Sequence, residues 1–350
     1  MIHIAIMGMG VVGGGLADAI LKNNEIVKNL LGDELNIKYI LDRRSFPGHP
    51  LENRVVGDIN VILNDPEVSV VAETMGGDNP AYDFTLACLK AGKSVVSSNK
   101  LVVEKYGREL EKEAIKNNVS YLYEASAGGG IPLIHPLVHC LSANKITKIA
   151  GILNGTTNYI LNRMETDGIS FDEALADAKR LGYAEANPDA DVLGFDTARK
   201  IAILASVCFG SYFSLEDLAE IEGITHITKE QIEYAGSLGY KLKLLGVAEQ
   251  NGNDEVTLFV KPCLVSREKL LYGVNGVFNC VLATGNLVGE VGFYGHGAGG
   301  LATASAVLSD IIEAVKIKTP PLSKPNHKTV VKNLDLSDSI DILGVKYPII

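Results

Sequence analysis

The stretch IHIAIMGMGVVGGGLADAILKNNEIVKNLL, residues 2–31, decides the fold. Ile2 to Met7 is an apolar run of strand length, and it leads directly into Gly8, Gly10 and Gly13 in the spacing G-x-G-x-x-G. From Leu16 to Leu31 apolar residues recur at helical intervals, so strand, glycine turn and helix stand in the order a dinucleotide-binding unit requires. Gly8 permits the tight turn, Gly10 lets backbone amides approach a pyrophosphate, and Gly13 lets helix pack on strand. The helix N-terminus adds the positive end of its dipole. An ordinary tight turn needs no such flanking elements, so the context carries the reading rather than the three glycines.

The chain beyond continues the pattern. A second strand, Ile37 to Leu41, ends at Asp42, an acid suited to accept hydrogen bonds from a ribose 2′-hydroxyl and so to select NAD. Arg43 and Arg44 follow at once, and guanidinium groups suit the 2′-phosphate of NADP, so the two indications compete. Val68 to Glu73 is a further apolar strand closing on Gly76 and Gly77, followed by a helix from Ala81 to Lys90. Ser94–Ser97, Leu101–Lys116 and Val119–Glu124 keep strand and helix alternating, which argues for a parallel sheet with helices on both faces. Asn99 and Lys100 fall at the carboxyl end of one such strand, where open α/β sheets bind ligands, although a lysine there is more often simply solvated.

EASAGGGIP, Glu124 to Pro132, is too rich in glycine for regular structure; its carbonyls suit a cation, and its glycines equally suit a hinge. The periodicity then changes. Lys145 to Leu153 reads as a strand, Asn154 to Asn158 as a polar loop, and Tyr159 to Glu165 as a short helix. Ser170 with Glu173 and Thr228 with Gln231 are capping boxes. Asn251-Gly252 separates two alternating runs, a hairpin pattern, and Val274–Leu282 pairs with Leu287–Phe293. GHGAGG, Gly295 to Gly300, opens a helix from Leu301 to Ile317, which brings the chain back to the nucleotide-binding part. The expected fold is α/β: a Rossmann-type dinucleotide-binding domain at residues 1–130 completed by the helix 297–318, and an α+β catalytic and dimerisation domain at 131–296 with a mixed or antiparallel sheet. Residues 319–350, with Pro320, Pro321 and Pro325, read as an extended arm.

Composition limits the function. A chain of 350 residues, 47% hydrophobic and 21% charged, has material for two globular cores. A formal net charge of -10 argues against nucleic acid or an anionic membrane as partner, leaving small molecules. The five cysteines form no CxxC pair, which fits a reducing cytoplasm. The longest apolar runs fall short of the roughly 20 residues a membrane helix needs, and the start lacks a cationic signal-peptide region.

The second informative stretch is AKRLGYAEANPDADVLGFDTARK, Ala178 to Lys200. It gathers Glu185, Asp191, Asp196 and Lys200 in one passage from loop to helix. Asp196 and Lys200, four residues apart, share a helical face, and the following IAILASVCF sinks into a core. A surface ion pair beside a solvated acidic loop accounts for this as simply as a polar substrate site does.

The passage resembles homoserine dehydrogenase. Ala178, Gly182, Tyr183, Ala184, Asn187, Pro188, Asp191, Val192, Gly194, Asp196 and Lys200 fill every position of that family's signature. GMGVVG at Gly8, SNK ending at Lys100, EASAGGGIP at Glu124, GILNGTTNYIL at Gly151 and GHGAGGLATA at Gly295 follow in the family's order, over about residues 1–317. The resemblance implies an NAD- or NADP-dependent interconversion of L-aspartate 4-semialdehyde and L-homoserine, serving threonine, methionine and isoleucine biosynthesis, in a cytoplasmic homodimer. It implies Lys200 as general acid/base with Lys100 assisting, and Glu185, Asp191, Asp196, Thr156 and Tyr183 around the substrate. Gly8, Gly10, Val11, Val12, Gly13, Asp42, Arg43, Gly76, Lys100 and Gly297 would contact the cofactor. The carbonyls of Glu124, Ala127, Gly129 and Ile131 match positions that hold a sodium ion in some members. Many bacterial members carry a C-terminal ACT regulatory domain, for which the residues after Ile317 are too few.

Overall fold

The structure, a computed structural model, describes residues 1–252, 255–316 and 329–350, and it divides the chain into two units. The first comprises Met1–Ile134 and the helix that follows Ala298; the second comprises His135–Gly297 and the described tail from Thr329.

The first unit is a six-stranded parallel sheet. Its strands are β1 (Ile2–Met7), β2 (Leu35–Leu41), β3 (Val55–Val56), β4 (Val68–Glu73), β5 (Ser94–Ser97) and β6 (Tyr121–Leu122), in the order β3-β2-β1-β4-β5-β6. The order reverses beside β1, which puts the ligand-binding crevice of such a sheet at the carboxyl ends of β1 and β4. Helices α1 (Val11–Lys22), α2 (Asn24–Leu31), α3 (Ile59–Leu63), α4 (Ala81–Lys90), α5 (Lys100–Lys116) and the short α6 (Ala125–Gly128) connect the strands. The sheet strands are buried nearly throughout, so they read as continuous apolar runs rather than alternating ones. Ile4, Ile6, Leu16, Ile20, Ile40 and Val70 form the core with Val307 and Ile311 of the late helix Gly300–Lys316. Gly15 explains how that helix packs on α1, because a Cβ there would stand 2.8 Å from the Gly300 carbonyl oxygen.

The second unit is built on a mixed sheet of β7 (Ile146–Ile152), β8 (Glu220–Ile221), β9 (Tyr240–Gln250), β10 (Glu255–Ser266), β11 (Phe278–Gly285), β12 (Gly289–His296) and β13 (Val330–Val331). The path β12-β11-β7-β9-β10 is antiparallel, while β8 and β13 pair with β10 in parallel. Helices α7 (Gly155–Asp167), α8 (Phe171–Arg180), α9 (Asp189–Val192), α10 (Phe195–Phe209) and α11 (Lys229–Ser237) complete it. Both expected capping boxes form, at Ser170–Glu173 and Thr228–Gln231.

Several expectations change. Within Glu124 to Pro132, expected to be irregular throughout, Ala125–Gly128 forms the short helix α6. Asn154 to Asn158 is not a loop: Asn154 caps α7, and Gly155 to Asn158 are its first turn. The strand expected at Val274–Leu282 lies instead at Phe278–Gly285, and the carbonyls of Val274, Gly276 and Phe278 turn to the Asn158 amide. The described part of the arm carries β13 and a hairpin of β14 (Ser339–Ile342) and β15 (Val345–Pro348), anchored where Ile350 donates to the Leu264 carbonyl and Tyr347 is wholly buried. Pro320, Pro321 and Pro325 lie outside the described residues. Among the described residues, no helix is long and apolar enough to cross a membrane.

Candidate active site

In the first unit the expected cofactor residues gather at the carboxyl edge of the sheet. Gly8 follows β1, Asp42 follows β2, Gly76 lies beyond β4, and Lys100 opens α5 beyond β5. Gly8 takes a φ of +91°, a left-handed conformation that favours glycine. A Cβ on Gly13 would stand 1.9 Å from the Gly8 carbonyl oxygen, so strand and helix meet there only through glycine. A Cβ on Gly10 would meet nothing within 4 Å, and no side chain caps α1, so its first amides open onto space. Val11 beside them is 78% exposed, whereas Val12 packs against the core. These features fit a dinucleotide pyrophosphate.

Asp42 is already engaged. Its carboxylate accepts from the Met9 amide at 2.8 Å and from Arg44 through Nη2 at 2.7 Å and Nε at 3.0 Å. The Arg44 bond, more than any other contact, holds this carboxyl well below the usual carboxylate range. Arg44 also lies over the Phe46 ring at 5.2 Å, and Arg43 is exposed.

A buried network supports the strand ends on the other side. Glu73 is fully buried; it accepts from Ser97 Oγ at 2.7 Å, from the Met75 amide at 2.9 Å and from Asn99 Nδ2 at 3.4 Å. Burial pushes its carboxyl upward. Asn99 also donates to the Gly77 carbonyl at 2.7 Å and caps α5 through the Val102 amide, which fixes the backbone at Lys100.

The Glu124 segment is held by its own side chain. Its carboxylate accepts from the amides of Leu133 and Ile134, at 2.5 and 2.8 Å, and its own amide donates to Asp310. The side chain is therefore committed to backbone, and ion ligands in this buried turn would be main-chain carbonyls; Gly129, at φ +60°, turns the chain between them. An all-oxygen set fits a hard cation.

In the second unit Gly194 (φ +87°) stops α9 and starts α10. Ala198, Ile201, Ala202 and Ala205 bury against the sheet, and Gly246 of β9 admits α10 closely, since a Cβ there would stand 3.0 Å from Thr197 Cγ2. This seats the polar face at the head of the helix. Lys200, 7% exposed, donates through Nζ to Asp196 Oδ2 at 2.8 Å and to the Leu153 carbonyl at 2.8 Å. Asn154 Nδ2 donates to the same Asp196 oxygen at 2.9 Å and to Asp191 Oδ1 at 2.7 Å. Thr156 Oγ1 donates to the Tyr183 carbonyl at 2.6 Å, and the Tyr183 ring packs against Tyr159. Glu185 is exposed on the same loop. Gly297 also lies in this unit, where a Cβ would stand 1.8 Å from Asn279 Nδ2.

The structure thus joins Asp191, Asp196 and, through Asp196, Lys200 at Asn154, a residue not among the expected site residues, while Thr156 and Tyr183 bond to each other. Glu73 was missed likewise, whereas Asn99 was placed beside Lys100 at its strand end without the bonds it makes to Glu73 and Gly77. An N-cap asparagine before a polar first turn was the available sign at Asn154; Glu73, inside an apolar strand, was legible only as a buried acid that must be satisfied.

A reversed-order parallel sheet with a glycine turn, in one chain with a unit holding a buried lysine–carboxylate pair, defines an NAD(P)-dependent oxidoreductase. A family model described as the NAD-binding domain of homoserine dehydrogenase matches residues 8–124, and one described as homoserine dehydrogenase matches 132–312. The chain belongs to the homoserine dehydrogenase family. A homoserine dehydrogenase of Synechocystis sp. is 43% identical over 331 residues, 93% of this chain and 76% of that one. The crystal structure of a homoserine dehydrogenase from Thiobacillus denitrificans aligns with TM-score 0.89 at 35% identity, covering 96% of this chain and 80% of that one. A hyperthermophilic archaeal homoserine dehydrogenase in complex with NADPH aligns with TM-score 0.76 at 28% identity, covering 91% and 99%.

Proposed function

We propose that the chain interconverts L-aspartate 4-semialdehyde and L-homoserine, preferring NADP(H), with Lys200 as the group that moves the proton. The observation that carries this is the buried pair of Lys200 and Asp196, 7% and 3% exposed and 2.8 Å apart, inside the passage that fills the family's signature. A buried ammonium is costly unless bonded on several sides; Asp196 and the Leu153 carbonyl supply those bonds and aim Nζ. When bound, the nicotinamide supplies or takes the hydride. In the reductive direction Lys200 stabilises negative charge developing on the substrate oxygen and donates its proton there, contributing roughly 10²–10⁴ in rate; in the oxidative direction it accepts the hydroxyl proton.

The other roles follow the family's pattern. Glu185 receives the substrate ammonium with Asp191 beside it, Thr156 and Tyr183 close the pocket, and Lys100 assists. Gly76 and Gly297 contact the cofactor, and the carbonyls of Glu124, Ala127, Gly129 and Ile131 hold sodium. The preference for NADP(H) is supported by Asp42: with both its oxygens bonded to Arg44 it is occupied as a hydroxyl acceptor, while Arg44 is 61% exposed. The NADPH bound to the archaeal relative agrees with that reading.

Initial rates with NADH and NADPH, on parent and Lys200→Ala, test the proposal. The variant is expected to lose turnover and keep cofactor binding. A parent protein that reduces aspartate semialdehyde with neither cofactor, or a variant that turns over normally, refutes it.

A further inference from the structure

We propose that Asn154 is a positioning residue of the substrate site, whose single amide fixes Asp191, Asp196 and, through Asp196, Lys200 relative to one another. The inference rests on the assignment of Lys200 made above. Asn154 stands between β7 and α7 and is 5% exposed. Its two polar ends act separately. Oδ1 accepts from the Thr157 amide at 2.9 Å and from Thr157 Oγ1 at 3.2 Å, which caps α7. Nδ2 donates to Asp191 Oδ1 at 2.7 Å and to Asp196 Oδ2 at 2.9 Å, so each N–H of the amide is directed at a different carboxylate.

The preceding residue completes the arrangement. Lys200 Nζ bonds both to Asp196 Oδ2 and to the Leu153 carbonyl, each at 2.8 Å. The dipeptide Leu153-Asn154 therefore grips the ion pair from both ends, the backbone taking the lysine and the side chain the acid. Two carboxylates around one nitrogen repel each other; the amide donors and the ammonium offset this and hold both acids as acceptors. Few side chains can substitute. Aspartate caps a helix as well as asparagine but donates nothing, and serine caps with one short hydroxyl that cannot serve two acids.

Asn154→Ser and Asn154→Asp keep the cap and remove the amide donors, whereas Asn154→Ala removes both. Expected in the serine variant are the parent's melting temperature and NADPH affinity, and in the aspartate variant the parent's NADPH affinity with a lower melting temperature, because a third buried carboxyl then faces two others; in both, kcat/KM for homoserine falls by about ten- to hundredfold, the size of losing bonds to charged groups. In Asn154→Asp the acid limb of the pH–rate profile moves to higher pH, because three adjacent carboxyls share a proton that must leave. The alanine variant adds a fall in melting temperature. Parental kcat/KM and pH profile in both the serine and aspartate variants would make Asn154 a cap alone and overturn the proposal. Unfolding of the serine variant would overturn it too, since its cap is intact. Turnover by Lys200→Ala sinks the underlying assignment instead; an inactive Lys200→Ala beside an unimpaired Asn154→Ser sinks only this inference.

Discussion

Lys243 offers a measurable link between burial and pH. It sits on β9 at 1% exposure, donating through Nζ to Asn158 Oδ1 at 3.0 Å, the Val274 carbonyl at 2.6 Å and Asn275 Oδ1 at 3.5 Å. All three acceptors are neutral. Burial first, then the charge of Lys241, brings its ammonium down from the usual 10.5 to about 8, with Glu165 opposing weakly. In the folded chain the proton leaves near pH 8 and in the unfolded chain near 10.5, so between these values the unfolded chain binds more protons. Stability must therefore rise with pH across that window. The interval corresponds to about 3 kcal/mol, fully expressed as a cost below pH 8 and relieved above 10.5. Lys243→Met removes the titration. Urea unfolding of parent and variant near pH 7.5, 9 and 10.5 should show the parent gaining on the variant by up to about 3 kcal/mol. A difference that stays constant with pH refutes the reasoning, since it would mean that Lys243 keeps its ordinary affinity for a proton when folded.

Two further outcomes concern the first unit. Arg44→Ala releases Asp42 from its two hydrogen bonds to the guanidinium and removes an exposed cation, so KM for NADPH should rise roughly tenfold while that for NADH stays level or falls; an unchanged ratio of the two refutes the cofactor preference. Sodium held by the Glu124 to Ile131 carbonyls should raise the melting temperature by roughly a few degrees over choline at equal ionic strength, and equal melting temperatures would exclude that site.

What the sequence made legible was set by the range of the interactions involved. The first unit could be read almost strand by strand because its evidence is local: six residues of strand, a glycine spacing and a helical period follow one another within a few turns of chain. Even there, the packing role of Gly15 was not legible, since its partner at Gly300 lies at the other end of the unit's sequence. In the second unit the hydroxyl and amide groups of Asn154 to Asn158 read as a polar loop, but such side chains equally suit a cap and first helical turn, which is what Asn154 and Gly155 to Asn158 form. The tail hairpin escaped because its burial comes from β10 and not from its own periodicity. The active-site reading divides in the same way. Asp196 and Lys200 were found together because they stand one helical turn apart, whereas Asn154 reaches Asp191 and Asp196 across 37 and 42 residues. Charged side chains stand out in a sequence because burying them demands an explanation. The neutral amide that decides where those charges point carries no such mark, and its function is visible only once both of its donors have been traced to their acceptors.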